Sequence, residues 1–309
     1  MGVMISAIVC TWNRIGYLRR ALESLTQQSL AKDQYEIIVV DNGSTDNTKQ
    51  IVLERFSYLS NLQYLYEPVQ GLSRARNTGW RNARGEYIAY LDDDAVASSE
   101  WLEKIIETFE ALKPQPGCVT GKISPIWEAQ RPSWLSDKMV PSLTVVDWSG
   151  QLITLNNNQW LAGANMAFPK RLIEAEGGFR EDLGRRGKKL LSMEEALLRR
   201  QLEKKGYRCV YNPEIIVQHH IPAGRLTQRW FMRRVYWDGI SSALLLIHLN
   251  SPSALRRLRK AASASRNMLL LPQQLLNLIL PTNNPNRFTF KCSALVKVGY
   301  IFGLLGIAK

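Results

Sequence analysis

A chain of 309 residues, 45% hydrophobic and 22% charged, can bury a substantial core in one large or two ordinary domains, which excludes global disorder. Its formal charge of +13 is unevenly placed, because no acidic residue follows Asp238. Cys10, Cys118, Cys209 and Cys292 are too scattered for a zinc site or redox motif, so a reducing compartment fits, with packing as their role.

Residues 4–10 read as an apolar strand, and residues 16–28 as a helix with Leu18, Leu22 and Leu25 on one face. A second strand, 35–40, ends at Asp41; Ser44, Thr45 and Asp46 then offer caps for a helix through Ile51 and Leu53. A short strand at 62–66 precedes an arginine-rich helix at 72–83. The strand 86–91 runs into Asp92, Asp93 and Asp94. A helix at 101–112 and a strand at 118–123 follow. Repeated strand–helix units predict an α/β fold, a mostly parallel sheet with helices on both faces. Residues 124–160 break the rhythm with prolines, tryptophans and an asparagine run, and read as a long surface excursion carrying a hairpin. Order resumes at 163–168, in a helix near 192–205, and in strands at 208–211 and 214–220. Beyond a boundary near residue 222 the chain reads as basic and amphipathic, with apolar stretches at 243–249, 268–271, 275–280 and 295–307.

Three carboxylates at the carboxyl end of a strand repel one another unless a cation or donors offset them. In open α/β sheets that end is also where ligands bind. The triplet therefore reads either as a divalent-metal site for an anionic, diphosphate-like ligand, or as a solvated loop capping the helix that starts near Ser98.

The ordered set Ile8-Val9-Cys10-Thr11-Trp12-Asn13-Arg14, Ile38-Val39-Val40-Asp41-Asn42-Gly43-Ser44-Thr45-Asp46, Gly71-Leu72-Ser73-Arg74-Ala75-Arg76-Asn77-Thr78-Gly79 and Tyr90-Leu91-Asp92-Asp93-Asp94 resembles family 2 glycosyltransferases over residues 4–220. The resemblance implies the GT-A fold, a Rossmann-like domain that binds nucleotide sugars. It also implies inverting transfer from a nucleoside diphosphate-sugar, a UDP-sugar by default, to an acceptor hydroxyl. Asp92 and Asp94 would form the Asp-x-Asp pair for Mn²⁺ or Mg²⁺, with Asp94 the direct ligand, Asp92 nearer the ribose or a metal-bound water, and Asp93 structural or peripheral. Thr11, Asn13, Arg14 and Asp41 would line the nucleotide pocket, though Asp41 also fits an ordinary strand-end turn. Arg76 would lie near the donor.

The family's acidic pair before a helix corresponds to Glu194-Glu195. Glu195 stands where the family usually has aspartate and would be the general base, with Glu194 as the alternative. Without the resemblance, Ser192-x-x-Glu195 reads as a capping box. A histidine after the last strand would approach the metal. His219 and His220 point to opposite faces, and His219 is the expected one. Trp160, Gly163 and Asn165 resemble the acceptor-side segment; the competing reading is a core strand with a buried asparagine.

The domain reading is a catalytic domain at 1–222 and a basic helical region at 223–309. Within it, residues 251–309 carry Arg256, Arg257, Arg259, Lys260, Arg266, Arg287, Lys291, Lys297 and Lys309 and no acid. It suits peripheral attachment to an anionic membrane on the cytoplasmic face, near a glycan or lipid-linked glycan acceptor; helical packing on the core or a dimer interface would use the same residues. No run reaches the ~18 apolar residues of a spanning helix, and the N-terminal run does not read as a signal peptide. Three rivals stand: transfer to a polyprenyl phosphate, a silent nucleotide- or glycan-binding protein, and nucleic-acid binding by the tail. The last is not expected, because the tail holds no recognised module.

Overall fold

The computed structural model describes residues 2–187, 189–269 and 281–307. The chain divides into two compact units. The first comprises Met1–Ile126, Val145–Asp182 and Glu194–His220; the second comprises Trp127–Thr144, Leu183–Met193 and Ile221–Lys309.

In the first unit β1 (Ile5–Thr11), α1 (Ile15–Thr26), β2 (Tyr35–Asp41), α2 (Thr48–Arg55), β3 (Leu62–Tyr66), α3 (Leu72–Asn82) and β4 (Tyr87–Asp92) alternate strictly. They are followed by β5 (Ala95–Ala97), α4 (Trp101–Ala111), β6 (Cys118–Trp127), β7 (Ile153–Thr154), β8 (Asn165–Pro169), α5 (Lys170–Ala175), α6 (Glu194–Lys204) and β9 (Cys209–Ile221). The sheet order is β3-β2-β1-β4-β8-β6-β9-β5, with β7 added on β9. Strands β3, β2, β1 and β4 are parallel. β8 turns antiparallel on β4, and β6 on β8.

The strands read as continuous apolar runs because helices cover both faces of the sheet. Ile5, Ala7 and Val9 of β1 join Leu18, Leu22 and Leu25 of α1 and Trp101 and Phe109 of α4 in one core. Ile8, one position out of phase, joins Ala75 and Trp80 of α3 and Leu198 and Leu202 of α6 in the other. This is the period-two alternation of a pleated strand. Chain order reverses between β1 and β4, and the register sets Thr11 beside Asp41 and Cys10 beside Asp92. The strand ends that carry the motifs are therefore level, at the crevice where such sheets bind ligands.

Two expectations are corrected. The strands read at 208–211 and 214–220 are one strand, β9, running through Pro213. Proline removes a ladder donor, but Asn212 closes the gap: its Oδ1 accepts from the Glu214 N–H at 3.0 Å and its Nδ2 donates to Thr108 Oγ1 at 2.9 Å. Residues 124–160 hold no regular hairpin. β6 continues to Trp127, an isolated bridge joins Ile123 to Val146, and β7 pairs with β9.

The second unit is helical: α7 (Gln228–Asn250), α8 (Ala254–Leu269) and α9 (Pro285–Leu305). Thr227 caps α7, and Asn284 caps α9 by accepting from the Asn286 and Arg287 N–H groups. α7 and α9 touch backbone to backbone. A Cβ at Gly239 would strike the Val296 carbonyl, and one at Gly299 the Tyr236 carbonyl. Trp134 packs edge-on against Phe231 and Phe288, at 5.3 and 4.8 Å between centroids. The apolar run near the C-terminus is part of a longer helix than its hydropathy suggested. Among the described residues α9 is the one helix long and apolar enough to cross a bilayer, by length and composition alone. Residues 270–280, including the apolar stretch at 275–280, and Lys309 lie outside the described residues.

Candidate active site

The turn after β1 is shaped by Asn13, whose φ of 53° lies in the left-handed region that asparagine tolerates. Asn13 Oδ1 accepts from the N–H groups of Thr45 (2.7 Å) and Asp46 (3.2 Å), and its own N–H donates to Ser44 Oγ (2.9 Å). The loops after β1 and β2 are thereby tied together. Asp41, buried at the end of β2, accepts from the Ser44 N–H at 2.8 Å on Oδ1 and from the Tyr64 hydroxyl at 2.7 Å on Oδ2.

Arg14 continues from that turn into the acid triplet. Its Nη1 donates to Asp93 Oδ1 and its Nη2 to Asp94 Oδ2, both at 2.7 Å. Thr11 Oγ1 donates to the other Asp93 oxygen at 2.8 Å. Asp94 Oδ1 lies 3.3 Å from His219 Nε2. His220 turns the other way, its ring against Tyr17 and within 3.5 Å of Arg20 Nη1. Burial pushes the Asp93 carboxyl up to about 7, with Arg14 opposing and the like charge of Asp94 adding to the rise.

A second arginine bridge stands beside the first. Arg76, buried on α3, donates from Nη1 to Glu194 Oε1 at 2.6 Å, and its Nη2 lies 3.5 Å from Asp92 Oδ1. Its guanidinium also lies 5.8 and 5.7 Å from the ring centroids of Tyr90 and Phe179. Gly163 makes room for it, since a Cβ there would collide with Nη2. The expected use of Gly163, close approach of a sugar, thus competes with a tenant already in that space.

Glu194 and Glu195 open α6. Burial, then the neighbouring charge of Glu194, holds the Glu195 carboxyl well above the usual range, and Arg76 pulls the other way. Oε2 of each glutamate is buried and has no hydrogen-bond partner among the described residues. The capping box does not form, because the Ser192 N–H donates to Ser241 Oγ at 3.0 Å instead.

Asn165 departs from its expected acceptor-side use. Both amide protons are engaged, by the carbonyls of Lys122 (3.2 Å) and Ile215 (2.9 Å), and Oδ1 accepts from Trp101 Nε1 at 2.9 Å. It is a fully buried clamp within the sheet. Trp160 is half-buried and packs edge-on against Trp148 at 5.8 Å. Trp148 carries a buried Nε1–H with no partner.

Among the described residues no group of three or more His, Cys, Asp or Glu side chains is gathered to hold a metal ion. The donors still fit one in chemistry. Carboxylate oxygens with an imidazole nitrogen suit Mn²⁺ or Mg²⁺, Asp94 and His219 converge, and the guanidinium of Arg14 shows that these acids accept a cation. The Tyr64–Asp41 and Asn13–Thr45 contacts escaped sequence reading. Tyr64 on a short strand reads as packing, and nothing local to either motif signals its partner.

A mostly parallel sheet flanked by helices, with a chain reversal between β1 and β4, is the α/β arrangement of the GT-A fold. Residues 6–168 match the model of glycosyl transferase family 2, and the chain belongs to that family. It is a glycosyltransferase. A glucosyl-dolichyl phosphate glucuronosyltransferase from Haloferax volcanii is 25% identical over 308 residues, covering 97% of this chain and 96% of the relative. Two solved structures share the fold. A mannosyltransferase from Pyrobaculum calidifontis in complex with GDP-Man and Mn²⁺ gives a TM-score of 0.64 at 21% identity, covering 100% of this chain and 89% of the other. S. aureus TarS 1–349 in complex with UDP-GlcNAc gives 0.57 at 18%, covering 99% and 91%.

Proposed function

We propose that the chain transfers a sugar from a nucleoside diphosphate donor to a hydroxyl of a lipid-linked glycan, with inversion at the anomeric carbon. The observation that carries this reading is the pair of acid–arginine–acid bridges at one end of the sheet, Asp93–Arg14–Asp94 and Asp92–Arg76–Glu194. Glu195 follows directly on Glu194 in the first turn of α6.

Asp94 and His219 would hold Mn²⁺ or Mg²⁺, with Asp92 on the ribose side of the Asp-x-Asp pair. Bound there, the divalent ion neutralises the charge that grows on the leaving diphosphate. Asp41 and Thr11 would receive the base and ribose, and Asn13 holds the wall of that pocket. Uridine is the first base to try. Arg76 fixes Glu194 and moderates the proton affinity of Glu195. Glu195, half-buried at the start of α6, takes the proton of the acceptor hydroxyl on its carboxylate, and a raised proton affinity makes it a stronger base once ionised.

The acceptor class is supported by the near-full-length relative named for glucosyl-dolichyl phosphate. It is also supported by α8, a basic helix with exposed Leu255 and Leu258, and by the apolar α9. Both helices suit work at an anionic membrane surface, which we place on the cytoplasmic side.

The test is acceptor-dependent turnover by Glu195→Gln. A loss on the order of 10²- to 10⁴-fold, with nucleotide binding retained, is expected for a missing general base. Retained turnover would remove Glu195 as base. It would favour an acceptor that is already ionised, such as a polyprenyl phosphate.

A further inference from the structure

Arg14 is placed as a counter-ion. Its guanidinium bridges two carboxylates with two hydrogen bonds of 2.7 Å. The side chains of Asp93 and Asp94 are only 6% and 2% exposed, while that of Arg14 is 29% exposed. Buried carboxylates this close require a nearby positive charge. The acids are thus fixed inside the protein, whereas the cation that serves them reaches solvent. Arg14 also precedes the first turn of α1, with φ −141°, so rotating its side chain breaks no helix. The Tyr17 ring, 5.0 Å from its Cζ, offers a flat apolar face along which the guanidinium can turn.

We propose that Arg14 is the resident counter-cation of the acid triplet, and that it and the divalent metal compete for Asp94. The inference rests on the metal-assisted reading above. Arg14 occupies Oδ2 of Asp94, while Oδ1 faces His219. A divalent ion drawn to that pair would set a second positive charge beside the guanidinium, and the two repel. Arg14, the more exposed and the weaker point charge, is the one that leaves. The diphosphate arriving with the metal presents paired acceptor oxygens that a guanidinium fork can meet bidentately. Arg14 thereby exchanges an internal anion for the donor's, so the acids stay compensated before and after binding. Metal and nucleotide bind cooperatively as a result, because the metal alone displaces Arg14 without supplying it a new anion.

The experiment is a Mn²⁺ titration of the full chain without nucleotide, reading free Mn²⁺ by its electron paramagnetic resonance signal, for wild type, Arg14→Gln and Arg14→Lys. Arg14→Gln should bind Mn²⁺ roughly tenfold tighter than wild type, because a competing cation has been removed. Its affinity for UDP at saturating Mn²⁺ should fall. Arg14→Lys, a point charge that cannot bridge both acids, should fall between wild type and Arg14→Gln in Mn²⁺ affinity. It decides the matter should the glutamine variant fail to fold by circular dichroism. Mn²⁺ affinity in the variants equal to or weaker than wild type would overturn the proposal and leave the metal site standing. No Mn²⁺ binding by any of the three proteins would overturn the metal-assisted reading and the proposal together.

Discussion

Glu195, the proposed general base, has a raised proton affinity. Burial and the adjacent Glu194 both raise its carboxyl, and Arg76 opposes them. The acid limb of the kcat/KM profile should therefore lie above the ~4.3 of an ordinary glutamate. Glu194→Gln removes a like charge and releases Arg76 from its ion pair. Both changes favour ionised Glu195, so the limb should move to lower pH; an unmoved limb would assign it to another group. Glu36 shows the opposite behaviour. Burial opposes its ionisation, but the Ser6 hydroxyl, the Arg84 N–H and the Arg84 guanidinium together hold its carboxyl below the usual value. For a lowered carboxylate, the stabilisation is full above the unfolded-state value and is lost as pH falls through the folded-state value. Glu36→Gln should cost about 1–3 kcal/mol at neutral pH, with the gap to wild type closing in acid, as read by urea melts. A gap that persists unchanged in acid would show that charge is not the cause.

Much of the candidate site was legible residue by residue, because strand ends announce themselves. Thr11, Asp41 and Asp92 each close an apolar run, and the register sets them level. The partners were not legible. Arg14 meets Asp93 and Asp94 across 79 and 80 positions of chain, and Glu36 meets Arg84 across 48. Such pairings follow from sheet register, which no local pattern encodes. For Asn165 the structure matches the competing reading, a buried asparagine in a core strand, rather than the acceptor-side one. Its sequence context is that of a strand beside a glycine, and only the neighbouring β6, β9 and α4 reveal that its amide is fully engaged.

At the scale of elements, strands buried on both faces and helices with one apolar face were read from periodicity. β9 was split in two because proline normally ends a strand, and the repair by Asn212 depends on Thr108, which is distant in sequence. The outward face of α8 makes a prediction of its own. Leu255 and Leu258 are 58% and 53% exposed among Arg256, Arg259 and Arg266, while Ala261 faces inward to Ala243 and Leu304. Exposed leucines between cations, with no acid on the helix, match an anionic bilayer surface. Sedimentation with vesicles containing anionic lipid should capture the chain. Replacing both leucines with serine should weaken capture roughly tenfold or more, since a fully buried leucine is worth about 1.5–3 kcal/mol. Equal capture by neutral vesicles would contradict this.

At the scale of the molecule, the chain joins two kinds of chemistry. One unit is a GT-A sheet in which Arg14 pairs with Asp93 and Asp94, and Arg76 with Asp92 and Glu194. The other is a helical unit whose segment after Asp238 carries no acidic residue. The division read at residue 222 missed that Trp127–Thr144 and Leu183–Met193 belong with the helices. Trp134 shows why, since its partners Phe231 and Phe288 lie about a hundred residues or more away. The function we propose for the whole chain is metal-assisted transfer from a nucleotide sugar. The most direct measurement is nucleoside diphosphate release from a panel of nucleotide sugars, with and without Mn²⁺ or Mg²⁺, by wild type and Asp94→Ala. Release from one donor that requires the metal and falls on the order of a hundredfold or more in Asp94→Ala is expected. Release that proceeds equally without metal, or is unchanged in Asp94→Ala, would contradict it.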